Sequence, residues 1–79
     1  MALSIVVAPM GDNWTVRSSA LDKDLVFPQG GRAESAARAL ADRYAAEGLS
    51  AEVQVYLRDG ALAGRFIHPA YAAPLMAAE

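Results

Sequence analysis

"YLRDGALAGRF", residues 56–66, decides the fold, because an Asp-Gly pair stands between two apolar runs. Asp-Gly favours a two-residue hairpin turn of type I′, in which both turn residues take positive φ angles. With residues 59–60 as that turn, the inward pairs are Leu57 with Leu62, Val55 with Gly64 and Val53 with Phe66. The apolar partners then share one face, which a slip of one residue would scatter.

The opposite face of the same hairpin is mixed in character. Its pairs are Tyr56 with Ala63, Gln54 with Arg65 and Glu52 with Ile67. An aromatic, a basic and an apolar side chain therefore share a surface that the core does not use. This face is the first candidate for a contact site.

A second hairpin is predicted at the start of the chain. "LSIVVAP" at residues 3–9 is apolar and β-branched, and "NWTVRSS" at 13–19 alternates apolar with polar residues. Gly11 and Asp12 between them suit a tight turn. With that turn, the facing pairs are Val7 with Val16 and Pro9 with Trp14.

Between the hairpins the pattern predicts a loop at residues 20–28, whose end is a short extended segment and possible edge strand, and then a helix. The apolar stripe of this helix consists of Ala33, Ala36, Ala37, Leu40, Ala41 and Tyr44. Gly48 is placed to end the helix with a left-handed cap. The predicted fold class is α+β: an antiparallel four-stranded sheet with one helix packed on one face, in the order β-β-α-β-β.

Length and composition predict one small domain at residues 1–69, followed by a short C-terminal tail at 70–79. The 79 residues include no cysteine, which fits a reducing compartment, so we expect a cytoplasmic protein. No apolar run approaches the roughly 20 residues that span a bilayer, and the first ten residues predict a strand rather than a signal peptide. The formal charge of −2 disfavours binding to duplex DNA through the overall field.

Catalytic chemistry has little support in the sequence. His68 is the only histidine and belongs to no motif with metal-ligand or triad spacing. The acids Asp22 and Asp24 flank Lys23 in a polar loop, and the Gly30-Gly31 pair before the helix lacks a phosphate-loop signature. We therefore expect no enzyme, no catalytic or metal-binding residues and no cofactor.

Contact is expected instead through the sheet face away from the helix, the strand edges or the charged side of the helix. The expected contact residues are Arg17, Tyr56, Arg65 and Ile67. A sheet with one helix leaves that face uncovered, which favours a protein partner, either another protein or complex or a second copy in a homodimer. Readers of single-stranded nucleic acid also stack bases on such faces. Here only one aromatic is placed there, so nucleic acid is the alternative partner.

"WTVR" on a strand, "ESAARALA" on the helix and "VYLRDGALAGR" on the closing hairpin together resemble a small bacterial and phage domain family of unknown function. That family shares a W-x-V-R strand, an A-x-x-x-A-R-x-L-A helix and an R-D-G turn. The resemblance covers roughly residues 5–67. It implies a fold and no active site, with Trp14, Arg38, Leu40 and Gly60 as framework positions.

In size and architecture alone, the chain is also similar to small phage inhibitors of host defence such as anti-CRISPR proteins. These are cysteine-poor single domains that act by surface contact. The sharpest functional expectation is therefore a non-enzymatic inhibitor that masks a host nucleic-acid-handling complex.

Overall fold

A computed structural model describes residues 3–70 as one helix packed on one side of a five-stranded sheet. The elements in chain order are β1 (Leu3–Met10), β2 (Asn13–Ser18), β3 (Leu25–Phe27), α1 (Gly30–Ala46), β4 (Ala51–Tyr56) and β5 (Leu62–His68). The strand order across the sheet is β3-β2-β1-β4-β5. The α+β class is confirmed. Residues 71–79, most of the predicted tail, lie outside the described part.

The prediction of four antiparallel strands is wrong in two respects. The segment before Pro28 is a fifth strand, β3, which pairs with β2 at one edge. In the centre, β1 and β4 pair in parallel. The cause is the helical crossover: β2 and β3 occupy one side of β1, and α1 returns the chain so that β4 enters on the other side in the direction of β1.

The first hairpin has the predicted register, with Val7 opposite Val16 and Pro9 opposite Trp14. Its two-residue loop begins at Gly11, whose φ is 60°, and no non-glycine residue of the described chain has a positive φ. A positive φ at the first loop residue alone is the pattern of a type II′ turn. Glycine therefore makes this turn possible without strain.

The second hairpin departs from the prediction at its tip. Only Gly60 has a positive φ, 88°, so the loop is not type I′. The Gly60 N–H donates to Leu57 O and the Leu57 N–H donates to Ala61 O, both at 2.9 Å, which closes a three-residue loop over 58–60. This is the common alternative in which a type I turn is followed by a left-handed glycine. The Ala61 N–H also donates to the Asp59 carboxylate at 2.9 Å, which stabilises the loop.

The three-residue loop changes the pairing next to it. Tyr56 pairs with Leu62 rather than with Ala63, and an irregularity between Val55 and Tyr56 restores the predicted register further along. Val55 opposite Gly64 and Val53 opposite Phe66 are confirmed, whereas the Leu57 and Leu62 pair is wrong. Both leucines are about half exposed instead of inward-facing.

The helix meets the sheet through alanine methyl groups. Its fully buried residues are Ala33, Ala37, Ala41 and Ala45, of which the last was not predicted. The larger side chains of the core come from the strands, and the fully buried ones are Ile5, Val7, Val16 and Val53. At its end, the Gly48 N–H donates to Ala45 O and the Leu49 N–H to Tyr44 O. With a φ of 91° at Gly48, this is the predicted left-handed cap in Schellman form.

Close approach also decides the start of the helix. A Cβ added at Gly30 would lie 2.9 Å from the Trp14 ring, whereas one added at Gly31 would meet nothing within 4 Å. The first glycine is therefore a packing requirement, because the indole occupies the space where its side chain would be.

Candidate protein-interaction surface

The sheet side that faces away from α1 carries no covering element among residues 3–70, and we call it the open face. Because side chains alternate along a strand and paired residues share a face, the register assigns its members. They are Ser4, Val6, Ala8, Met10, Asn13, Thr15, Arg17, Val26, Glu52, Gln54, Tyr56, Leu62, Arg65 and Ile67.

Two cross-strand rows organise the open face. In the first row, Arg17 pairs with Val6, Val6 with Gln54 and Gln54 with Arg65. The second row contains Val26, Thr15 and Ala8 on one side, paired in that order, and Tyr56 with Leu62 on the other. Ala8 and Tyr56 directly follow the last parallel pair, Val7 with Val55, so they complete the second row.

The four residues predicted from the sequence share this face. Arg17 and Arg65 stand in the same row on β2 and β5, with Tyr56 two residues beyond Gln54 on β4. Ile67 pairs with Glu52, as predicted. Strands about 4.8 Å apart place the two arginine Cα atoms about 14 Å from each other, so both fit beneath one partner.

Much of the open face is apolar and in contact with solvent. Ile67 is 67% exposed, Val26 53% and Leu62 46%. Val6 and Tyr56 between them are half-buried. A large apolar side chain at the surface gains free energy when a partner removes it from water, at about 25 cal/mol per Å².

A chain of hydrogen bonds connects the polar side chains of β4. Arg65 Nε donates to the Glu52 carboxylate in an ion pair, and Gln54 Nε2 donates to the same oxygen at 3.3 Å. The Tyr56 hydroxyl donates to Gln54 Oε1 at 3.0 Å. The hydrogen bonds from Arg65 and then from Gln54 lower the pKa of Glu52, and the bond to Glu52 raises the pKa of Arg65. The Glu52 carboxylate is consequently held in its charged form and in one position.

The other arginine is paired as well. Arg17 Nε donates to the Asp24 carboxylate at 3.0 Å across the β2–β3 edge. Each flank of the open face therefore carries one arginine next to one carboxylate. The face is close to neutral in charge, which favours a partner with both charge signs over a polyanion.

Sequence reasoning misses several apolar members of the open face. Val26 lies on β3, which is only three residues long and too short for a clear strand pattern. Val6 lies within an apolar run with no alternation to mark its direction. Leu62 is predicted in the core because Asp-Gly favours a two-residue turn. Only the pairing partners of each strand reveal these positions.

The only histidine of the sequence, His68, is the last residue of β5. His68 Nδ1 and Asp42 Oδ1 lie 3.1 Å apart, which connects β5 to the helix. Within residues 3–70, no group of three or more histidine, cysteine or acidic side chains is arranged to hold a metal ion. In the same part of the chain, no helix is both long and apolar enough to cross a membrane.

Comparisons with models of known families, with curated proteins and with solved structures found no match.

Proposed function

We propose that this protein is a non-enzymatic interaction module that binds another protein through the open face. The observation that carries the proposal is the apolar surface of the open face, which no element within residues 3–70 covers, on a sheet whose other side is sealed by an alanine-lined helix. Ile67, at 67% exposure, is its most exposed large apolar side chain. Leu62 lies beside Tyr56 on the neighbouring strand, and exposed apolar surface of this kind is typical of protein contact sites.

The mechanism is steric masking by a small rigid surface. Tyr56 and Ile67 provide the apolar area that a partner covers, since aromatic and large aliphatic anchors contribute most of the binding energy at interfaces. Arg17 and Arg65 orient the partner through carboxylate contacts, for which the planar guanidinium is well suited. In its sharpest form, the protein is a phage-type inhibitor, similar to anti-CRISPR proteins, that blocks a host nucleic-acid-handling complex.

Binding of single-stranded nucleic acid is the weaker proposal. Phosphate attraction needs free positive charge, and both arginines of the open face lie against carboxylates. Base stacking needs aromatic platforms, and Tyr56 is the single aromatic among the described members of this face. Fluorescence polarisation with short oligonucleotides at low salt tests it: salt-sensitive binding would favour it over protein contact.

The protein-partner proposal is tested with a tagged protein used for crosslinking and co-purification from the native host, followed by identification of the partner. The purified partner is then titrated with wild type and with the double variant Tyr56→Ala/Arg65→Glu. We expect affinity to fall about 100-fold or more, because a central anchor and an orienting charge are lost together.

A matched control changes charge on the covered side of the molecule. Arg43→Glu replaces an exposed arginine in the last helical turn, away from the open face, and we expect it to leave binding unchanged. Circular dichroism must show that both variants are folded. Equal binding by wild type and a folded double variant would contradict the proposal.

A further inference from the structure

We infer that the open face also fits a second copy of this chain, and that two copies pack face to face in a two-fold symmetric sandwich. This inference rests on the proposed function, because it names one partner for the same surface. It depends on a property of the two rows: each position on one side of β1 has a complementary position at equal distance on the other side.

The required symmetry places β1 of one copy over β1 of the other. A two-fold axis that runs along β1, between the two sheets, superposes β2 on β4 and β3 on β5. Because the axis exchanges the left and right halves of the sheet, a residue meets its mirror position rather than itself. A homodimer is stable in this arrangement only when the two halves are complementary.

The first row, which contains Arg17 and Arg65, meets this requirement. Asp24 precedes Leu25, which pairs with Val16, so Asp24 lies beside Arg17 at the β3 edge. The axis places this carboxylate opposite Arg65 of the second copy, at the β5 edge. Symmetry produces the contact twice, and each one joins a basic to an acidic side chain. Val6, in the centre, meets Val6 of the second copy.

The second row is complementary in size and polarity. Exposed Val26 on β3 comes to lie opposite exposed Leu62 on β5, so both apolar side chains leave water together. Thr15 on β2 comes to lie opposite Tyr56 on β4, a small side chain opposite a large one. The Thr15 hydroxyl already donates to Ala8 O at 3.2 Å, so its burial leaves that group satisfied.

The ion pairs within each copy extend across the interface. Arg17 with Asp24 and Arg65 with Glu52 become one alternating series: Arg17, Asp24, Arg65 of the second copy and Glu52 of the second copy. Stacked sheets cross at about 30°, so the edge strands of one copy are displaced from those of the other. A long arginine side chain can span that displacement. The Val6 contact lies on the axis and is not displaced, whereas Val26 and Leu62 lie on the edge strands and share the displacement of the flanks.

The contact area indicates a weak dimer. Five strands of three to eight residues give a face of roughly 20 Å by 20 Å, or about 400 Å² of flat area per copy. Two copies together then bury about 800 Å², roughly half of the 1,600 Å² of a standard specific interface. We therefore expect dimers at high protein concentration, and displacement of the second copy by any partner that binds more tightly.

Sedimentation equilibrium over a wide concentration range, reaching millimolar protein, tests the inference with two charge reversals. Asp24→Arg places arginines against arginines twice, and Arg65→Glu places carboxylates against carboxylates twice. We expect each variant to dimerise at least about tenfold more weakly than wild type. An equimolar mixture of the two variants restores both cross-pairs, so we expect it to regain association as a heterodimer.

Circular dichroism and thermal melting establish that both variants are folded, and Arg43→Glu, which lies on the helix, should dimerise like wild type. A wild type that stays monomeric throughout would overturn the inference. So would folded variants that associate as well as wild type, or a mixture that does not recover. These outcomes leave the proposed function standing, since it fails only if the open-face double variant still binds its identified partner.

Discussion

The two sides of the sheet carry similar residue types in opposite situations. Ile5 and Val53 on the covered side are fully buried, whereas Ile67 and Val26 on the open face are 67% and 53% exposed. The covered side needs close contact with alanine methyl groups and has no room to change. The open face has no such constraint within the described chain, so its composition is free to serve binding.

Charged side chains differ between the two sides in the same way. On the helix side they cover the margins of the core: the Arg38 guanidinium lies 3.9 Å from the centre of the Phe66 ring, and Arg38 also pairs with Glu34 at 3.8 Å. Asp42, one turn further along the helix, contacts His68 at the end of β5. On the open face, the ion pairs of Arg17 and Arg65 lie beside exposed apolar side chains of the edge strands. The first arrangement stabilises a fold, and the second suits a partner.

The largest expected difference in the free energy of unfolding is between alanine substitutions of two isoleucines, one on each side of the sheet. Ile5→Ala should lower the free energy of unfolding by about 2–5 kcal/mol, because it leaves a cavity under the helix. Ile67→Ala should change it by less than about 0.5 kcal/mol, because the side chain is already in water. Urea denaturation of both variants measures the difference. Equal losses would show that the two sides are not distinct in the way described here.

The next largest effect compares the two glycines that begin the helix. Gly30→Ala should cost about 1–3 kcal/mol, since its Cβ would overlap the Trp14 ring on the covered side. Gly31→Ala should be neutral or stabilising by up to about 1 kcal/mol, because alanine favours helix and the position is open. Thermal melting distinguishes them. A stable Gly30→Ala variant would mean that the indole moves aside easily.

The smallest effect concerns the ion pair of Glu52 on the open face. Its pKa is lowered in the folded protein, so its contribution to stability is present above the unfolded-state pKa, near 4.5, and is lost as pH falls through the lower folded pKa. Glu52→Gln should therefore melt slightly below wild type at pH 7, with the difference disappearing in acid. Arg65→Gln should remove the same pH dependence. A difference that grows in acid would contradict this assignment.

Much of the covered side was predictable because its signals are local. The alanine stripe follows a helical period, and Gly11 with Asp12 determines the first hairpin whatever surrounds it. Leu57 and Leu62 were misassigned because Asp-Gly fits both a two-residue turn and the last two positions of a three-residue loop. Backbone hydrogen bonds decide between these, and the sequence contains no separate sign of them.

The open face was predictable only in part, for the opposite reason. Arg65 and Ile67 were placed correctly because they follow from one hairpin. Val26 and Asp24 depend on β3 joining the sheet, and the neighbourhood of Val6 and Gln54 depends on the parallel pairing of β1 with β4. Contacts between segments far apart in sequence leave no periodic pattern within either segment, so they appear only in the folded chain.

The parallel pairing of β1 with β4 determines the stage of folding at which the open face forms. Each hairpin closes over a few residues, whereas Leu3 and Ala51 meet across about fifty positions of chain, a slower kind of encounter. The open face extends across the β1–β4 pairing: Val6 and Arg17 lie on one side of it or at it, and Gln54 and Arg65 lie on the other. A chain that has formed only its hairpins displays neither complete row. Any molecule that recognises the whole surface therefore recognises the finished protein alone, and by holding the halves together it opposes their separation.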